Sequence, residues 1–190
     1  MKVKTKTIAP VIDRDGIAQA QTTAGATALT LNGALGTSFS YPVKPTLYSS
    51  GNLSGRTFTI VGKDERGQTQ SENVTGPNNS TVEATKYYSE FTSITPDAAV
   101  GTNVEVGVNG ELVTNWIPHD NNISPFNVSH MVSLSSGANL TYSIEHTLDD
   151  LQNPNSTINA LEHGSLRDLT ASSDGNYDSA ISGSRLKVKS

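Results

Sequence analysis

Between Arg56 and Val108 the chain alternates polar and apolar residues in short runs that end at small polar turns. Arg56, Phe58, Ile60 and Gly62 take one side against Thr57, Thr59 and Val61, a period of two that predicts a half-buried strand. The Asp64–Gly67 turn reverses the chain into a strand over Gln68–Val74, and Pro77–Asn79 reverses it again into Thr81–Tyr88. Farther on, Val104, Val106 and Val108 share a face, and Asn109–Gly110 has the chemistry of a tight hairpin turn leading into Glu111–Trp116.

On either side of this region the pattern is weaker. Met1–Pro10 reads as a strand or docking arm, and Val11–Ala28 begins irregular and turns small and polar. A short strand Ala28–Leu31 ends in an Asn32–Gly33 turn, and Ser38–Gly55, broken by Pro42 and Pro45, reads as a loop with one short strand. Pro118–Pro125 is polar and proline-bounded, so a domain boundary is expected there. Beyond it Phe126, Val128, His130 and Val132 alternate. Ser135–Asn139 turns the chain, and Leu140, Tyr142, Ile144 and His146 alternate on the way back. Asp149–Thr157 reads as a polar loop, Ile158–His163 as one short helical turn, and Leu186 and Val188 as one face of a last strand.

The pattern predicts an all-β chain with almost no helix, arranged as two consecutive antiparallel β-sandwich domains, Ig-like or jelly-roll-like. The first is expected over residues 1–116 with its N-terminal arm, and a smaller second over 117–190. Composition agrees. Only 16% of residues are charged and 34% are hydrophobic, with Ser, Thr, Asn and Gly filling much of the rest, which suits exposed strand faces and turns better than disorder.

The net charge of −5 argues against nucleic acid as a partner, since a phosphate backbone calls for a basic surface. With no cysteine there is no disulfide framework and no thiolate zinc site, which fits assembly in a reducing cytoplasm. Met1–Ala9 is basic without an apolar stretch behind it, and no run is long and apolar enough to cross a membrane, so neither a targeting segment nor a membrane partner is expected.

Catalytic patterns are weak. Gly51–Thr57 lacks the lysine and spacing of a phosphate loop, and no nucleophile elbow occurs. His119, His130, His146 and His163 are the nitrogen ligands available; His130 and His146 are placed to face each other across a hairpin, yet structural roles suit all four. Asp174–Gly175–Asn176 reads as turn chemistry rather than a calcium loop. No catalytic, cofactor-binding or metal-binding residue is assigned.

The candidate residues are instead those of an interface. Lys2, Lys4 and Lys6 alternate at one end and Arg185, Lys187 and Lys189 at the other, as in edge strands that are either solvated or docked on an acidic neighbouring subunit. Tyr87 and Tyr88 point to opposite faces, one into a core and the other outward or into a contact. Trp116 either fills the core or wedges the two domains together.

Several segments, in order, resemble small structural proteins of tailed bacteriophages. In the first half they are Asp15-Gly-Ile-Ala with Gln21-Thr, Phe58-Thr-Ile-Val-Gly-Lys-Asp-Glu-Arg-Gly, Ser71-Glu-Asn-Val-Thr-Gly-Pro, Thr85-Lys-Tyr-Tyr and Val100-Gly-Thr-Asn-Val-Glu-Val-Gly. The second half adds Ser124-Pro-Phe-Asn-Val, Leu140-Thr-Tyr-Ser-Ile-Glu-His-Thr-Leu-Asp-Asp and Ala171-Ser-Ser-Asp-Gly-Asn-Tyr. The resemblance implies a non-enzymatic virion component of the neck, collar or tail, or a capsid decoration protein. Its partners would be further copies of itself and other virion proteins. A carbohydrate- or receptor-binding module is the competing expectation, because sandwiches with exposed Tyr and Asp/Asn loops bind sugars.

Overall fold

Hydrogen bonding joins eleven strands into one antiparallel sheet in the computed structural model, which describes residues 7–122 and 124–190. No helix occurs among the described residues, as the strand-and-turn pattern leads one to expect. In the first half the strands are β1 (Ile12–Thr23), β2 (Ser38–Asn52), β3 (Thr57–Lys63), β4 (Thr69–Thr75), β5 (Asn78–Glu83), β6 (Tyr88–Pro96) and β7 (Val100–Val113). The second half contributes β8 (Ile117–Pro118), β9 (Val128–Val132), β10 (Thr141–Thr147), β11 (Leu161–Glu162), β12 (Ser173–Tyr177) and β13 (Gly183–Lys189). Along the main path the order is β11-β10-β13-β7-β2-β6-β3-β4, with β1 on β7, β5 on β2 and β8 on β13; β9 and β12 form a separate two-stranded ribbon.

The β3–β4 hairpin follows the alternation read from the sequence. Phe58 and Ile60 are fully buried, their Thr neighbours are half-buried, and the turn closes at Gly67 with a positive φ. Asp64 fixes that turn by accepting hydrogen bonds from the Arg66 and Gln68 amides. Beyond it the chain departs from the expectation. The strand expected over Thr81–Tyr88 is two elements: β5 ends at Glu83 and lies against β2, and β6 begins at Tyr88 and lies against β2 and β3.

Two long strands organise the sheet. Ser38–Gly55, expected to be mostly loop, is the fifteen-residue β2. Its prolines sit where one of its edges changes partner: β6 pairs with it up to Val43 and β5 takes over from Thr46, while β7 pairs with it from Val43 on. Asn109–Gly110 makes no hairpin. β7 runs through it, and Gly110, at φ +81°, turns the strand so that it leaves β1 at Asn109 and meets β13 at Glu111. An interval of four on β7, Val108 to Leu112, spans an interval of two on β2, Val43 to Pro45, which is a bulge.

β1 falls in a segment that reads as irregular because its register shifts three times against β7, which erases the period of two. It approaches β7 closely at Gly107, where a Cβ would lie 1.9 Å from the Asp13 carbonyl oxygen. Ala28–Leu31 is extended but belongs to no strand, although the Leu29 amide bonds to the Ile94 carbonyl. The helical turn expected at Ile158–His163 is β11, and the turn expected at Asp174–Asn176 is strand β12. In the latter, Gly175 admits the Leu166 side chain, which lies 2.8 Å from where a Cβ would stand.

Ile17, Leu47, Phe58, Ile60, Ile94, Val104 and Val106 share one hydrophobic core, to which β1, β2, β3, β6 and β7 all contribute. Tyr142 and Val188 of the second half belong to that core as well, while Ile144, Leu166, Tyr177 and Ile181 form a smaller cluster of their own. The position expected to divide the chain, between 116 and 117, is spanned by hydrogen bonding, since β13 pairs with β7 over Glu111–Val113. The Pro118 end of the expected linker is likewise pinned, with β8 on Gly183 and Ser184.

Candidate functional site

β13 brings the C-terminal bases to the centre of the sheet. It lies between β10 on one side and β7 and β8 on the other, so it is not the edge strand that its alternating cations suggest. Pairing on both sides leaves Val188 buried in the core and turns Arg185, Lys187 and Lys189 to the opposite face. The carboxylates that answer them are in the same chain, on the strands that flank β13 and in the β3–β4 turn.

Arg185 is 9% exposed; its Nε donates to Glu145 Oε2 at 2.7 Å and its Nη1 to Glu65 Oε1 at 3.2 Å. The guanidinium carbon lies 4.5 Å from the Trp116 ring centroid and 5.6 Å from that of Tyr87. Trp116 Nε1 also donates to Glu65, at 2.8 Å. Trp116 therefore sits at the meeting of the two halves, where a wedge is one of the two expected roles, with its ring against Arg185. The turn Asp64–Gly67 makes the join from above, because Arg66 donates to the Asn153 carbonyl at 3.1 Å and to the Ser156 carbonyl at 2.9 Å.

The network continues along the strand. Lys187 contacts Glu162 at 2.8 Å and Glu145 at 3.6 Å; Lys189 reaches Glu111 at 3.5 Å, and Lys44 of β2 reaches the same carboxylate at 3.4 Å. The Tyr87 hydroxyl donates to Glu111 as well. Burial and then this hydrogen bond push the Tyr87 hydroxyl well above the usual phenol range. For Glu111, burial works to raise the pKa, but Tyr87, Lys44 and Lys189 outweigh it and hold the carboxyl below its ordinary value. Lys187 is raised because Glu162 and Glu145 outweigh its desolvation.

Five of the nine candidate interface residues thus come together, and their cations are neutralised within the chain. Lys189 alone of the three C-terminal bases keeps about half of its side chain in solvent. Tyr88 is the inward member of its pair, fully buried and stacked on Phe91 at 5.2 Å, while Tyr87 is half-buried. Lys2, Lys4 and Lys6 lie outside the described residues. Ile8, just after them, packs against the main core.

A groove of about 220 Å³ opens at Glu111, with Leu35, Phe39, Tyr41, Val108 and Leu112 also in its walls. Val11 lines its rim and is 48% exposed, and Ile12 beside it is 67% exposed.

The histidines also converge, although not across a hairpin: β9 pairs with β12, and β10 with β11 and β13. His163, His146 and His130 lie with ring centroids 4.5, 5.0 and 5.7 Å from that of Tyr177, and His119 is 6.2 Å from His130. Spacing along the chain gives no sign of this, since the four residues come from four different segments. No group of three or more potential ligands among the described residues has metal-binding geometry. Comparison of the chain with known protein families, with curated proteins and with solved structures finds no match.

Proposed function

We propose that the protein is a non-enzymatic structural component of a bacteriophage virion, a neck, collar or tail accessory subunit that works as a symmetric oligomer. The virion reading rests on the ordered resemblance of its strand-and-turn segments; the structural role is supported by the physical form of the molecule. In this reading each half is a β-sandwich, the first around the large core and the second around Ile144, Leu166, Tyr177 and Ile181. Ion pairs and the β3–β4 turn bolt the two into one rigid body.

The observation that carries the proposal is the groove beside β1, where exposed Val11 and Ile12 stand next to apolar walls. Apolar side chains grouped beside a concave apolar surface gain most by being covered, and a second copy offers the same elements in return. The Arg185 network supports assembly indirectly, by holding the scaffold stiff rather than by supplying free cations.

Light scattering coupled to size exclusion tests this reading. The wild-type chain is expected as a closed oligomer, and Val11→Asp/Ile12→Asp as a folded species of lower mass. A wild-type monomer that binds glycans on an array would favour the receptor-binding alternative instead.

A further inference from the structure

The β9–β12 ribbon is separate from the large sheet; its Tyr177 packs with Ile144, Leu166 and Ile181 in the smaller cluster and is ringed by the imidazoles of His130, His146 and His163. His163 Nδ1 accepts from the Ser165 and Leu166 amides, both at 3.1 Å, so that nitrogen carries a lone pair. Its proton is then on Nε2, 3.1 Å from the Asn176 carbonyl of β12, to which it donates. On β10, His146 Nδ1 hydrogen-bonds to the Tyr177 hydroxyl at 3.1 Å. The alternation of β9 turns His130 inward between Val128 and Val132, and its Nε2 is buried without a hydrogen-bond partner. His119 completes the group from the segment after β8, its Nε2 2.8 Å from Ser184 Oγ on β13.

We propose that His130 and His146, packed around Tyr177, make the β9–β12 ribbon a pH-sensitive clasp, closed on the sheet while these two rings are neutral and released when they take up protons in mildly acidic solution. A proton taken up by His146 makes both of its ring nitrogens donors, so Nδ1 can no longer accept from the Tyr177 hydroxyl, and one taken up by His130 charges a ring whose Nε2 is buried without a partner. Each charge also arrives beside other imidazoles. Glu145 raises the Tyr177 hydroxyl by its charge, but it is engaged with Arg185 and Lys187. Glu162, next to His163 in the chain, is engaged with Lys187, and Asp120 and Asp178 are exposed beside His119 and Tyr177. Among the described residues no carboxylate hydrogen-bonds to the ring of His130 or His146.

Burial, then His119 and His163, depresses His130 to about 4, and burial, then His163, lowers His146 too. Burial also pushes the Tyr177 hydroxyl up to about 12, so it stays a donor throughout this range. A released ribbon would let its imidazoles return toward their ordinary pKa of about 6.5. The open form then binds more protons than the closed one below that pH, and closure weakens as pH falls, by about tenfold per pH unit for each histidine that gains a proton. The effect ends near the depressed values, where the closed form is protonated as well.

Hydrogen exchange on the full chain, corrected for intrinsic rates, reads this out directly. From pH 7 down to about 4.5, protection of the 128–132 and 173–177 amides is expected to fall about tenfold or more per unit once below 6.5, while that of β3 and β6 stays level. The double variant His130→Gln/His146→Gln should flatten that slope. Equal slopes in wild type and variant, or ribbon protection independent of pH, overturns the proposal. If the double variant does not fold, imidazole NMR on the wild type decides: His130 and His146 both titrating near 6.5 with the ribbon still protected also overturns it.

Discussion

Arg185 shows what a single side chain settles here. Its guanidinium is held by Glu145 and Glu65 and stacked against Trp116, nearly out of solvent. An ion pair buried this far contributes little net stability compared with an apolar pair, but removing one partner strands the other. Arg185→Met should therefore cost about 3–5 kcal/mol in urea unfolding at neutral pH, and Arg185→Met/Glu145→Leu should recover part of that loss. A loss under about 1 kcal/mol in the single variant would mean that water already reaches the site. Glu111 adds a pH dependence of stability that an unpaired exposed acid lacks. Its folded pKa lies below the unfolded one, so its contribution is complete above the ordinary carboxylate range and disappears as pH falls through the folded value. The alternating bases of β13 are legible in the sequence as one face of a strand. Their partners are not, because Glu65, Glu111 and Glu145 become neighbours only through pairings between distant segments.

Among the elements, the β3–β4 hairpin was readable because a regular ladder keeps the period of two and a glycine closes the turn. The length of β2 and the continuation of β7 past Val108 were not, and for a common reason: each strand serves different partners along its length. Prolines in β2 and Asn109–Gly110 in β7 carry the local chemistry of a break, yet here they mark a change of partner within a continuous strand. Gly110 is the sharper test. It has a positive φ, and an added Cβ would lie 2.1 Å from Ser190 Oγ and 3.0 Å from the Ile12 side chain. Gly110→Ala should lower stability by about 1–3 kcal/mol through backbone strain and crowding, measured by thermal or urea unfolding. Gly101, with ordinary φ and open space around it, should accept alanine with little change. Equal effects at the two positions would remove the bulge from this account.

At the scale of the whole molecule, one sheet passing through both halves and a latch of ion pairs across them describe a body suited to bearing contacts. The histidine cluster sits apart from the Val11–Ile12 groove, so loss of the ribbon clasp in acid and loss of the oligomer in Val11→Asp/Ile12→Asp are independent outcomes. The proposed role is tested most directly by the amount of this protein in purified virions, measured by quantitative mass spectrometry against the major capsid protein. The structural role predicts a fixed, symmetric copy number that survives repeated gradient purification. A protein absent from washed particles and recovered as free soluble monomer would contradict it.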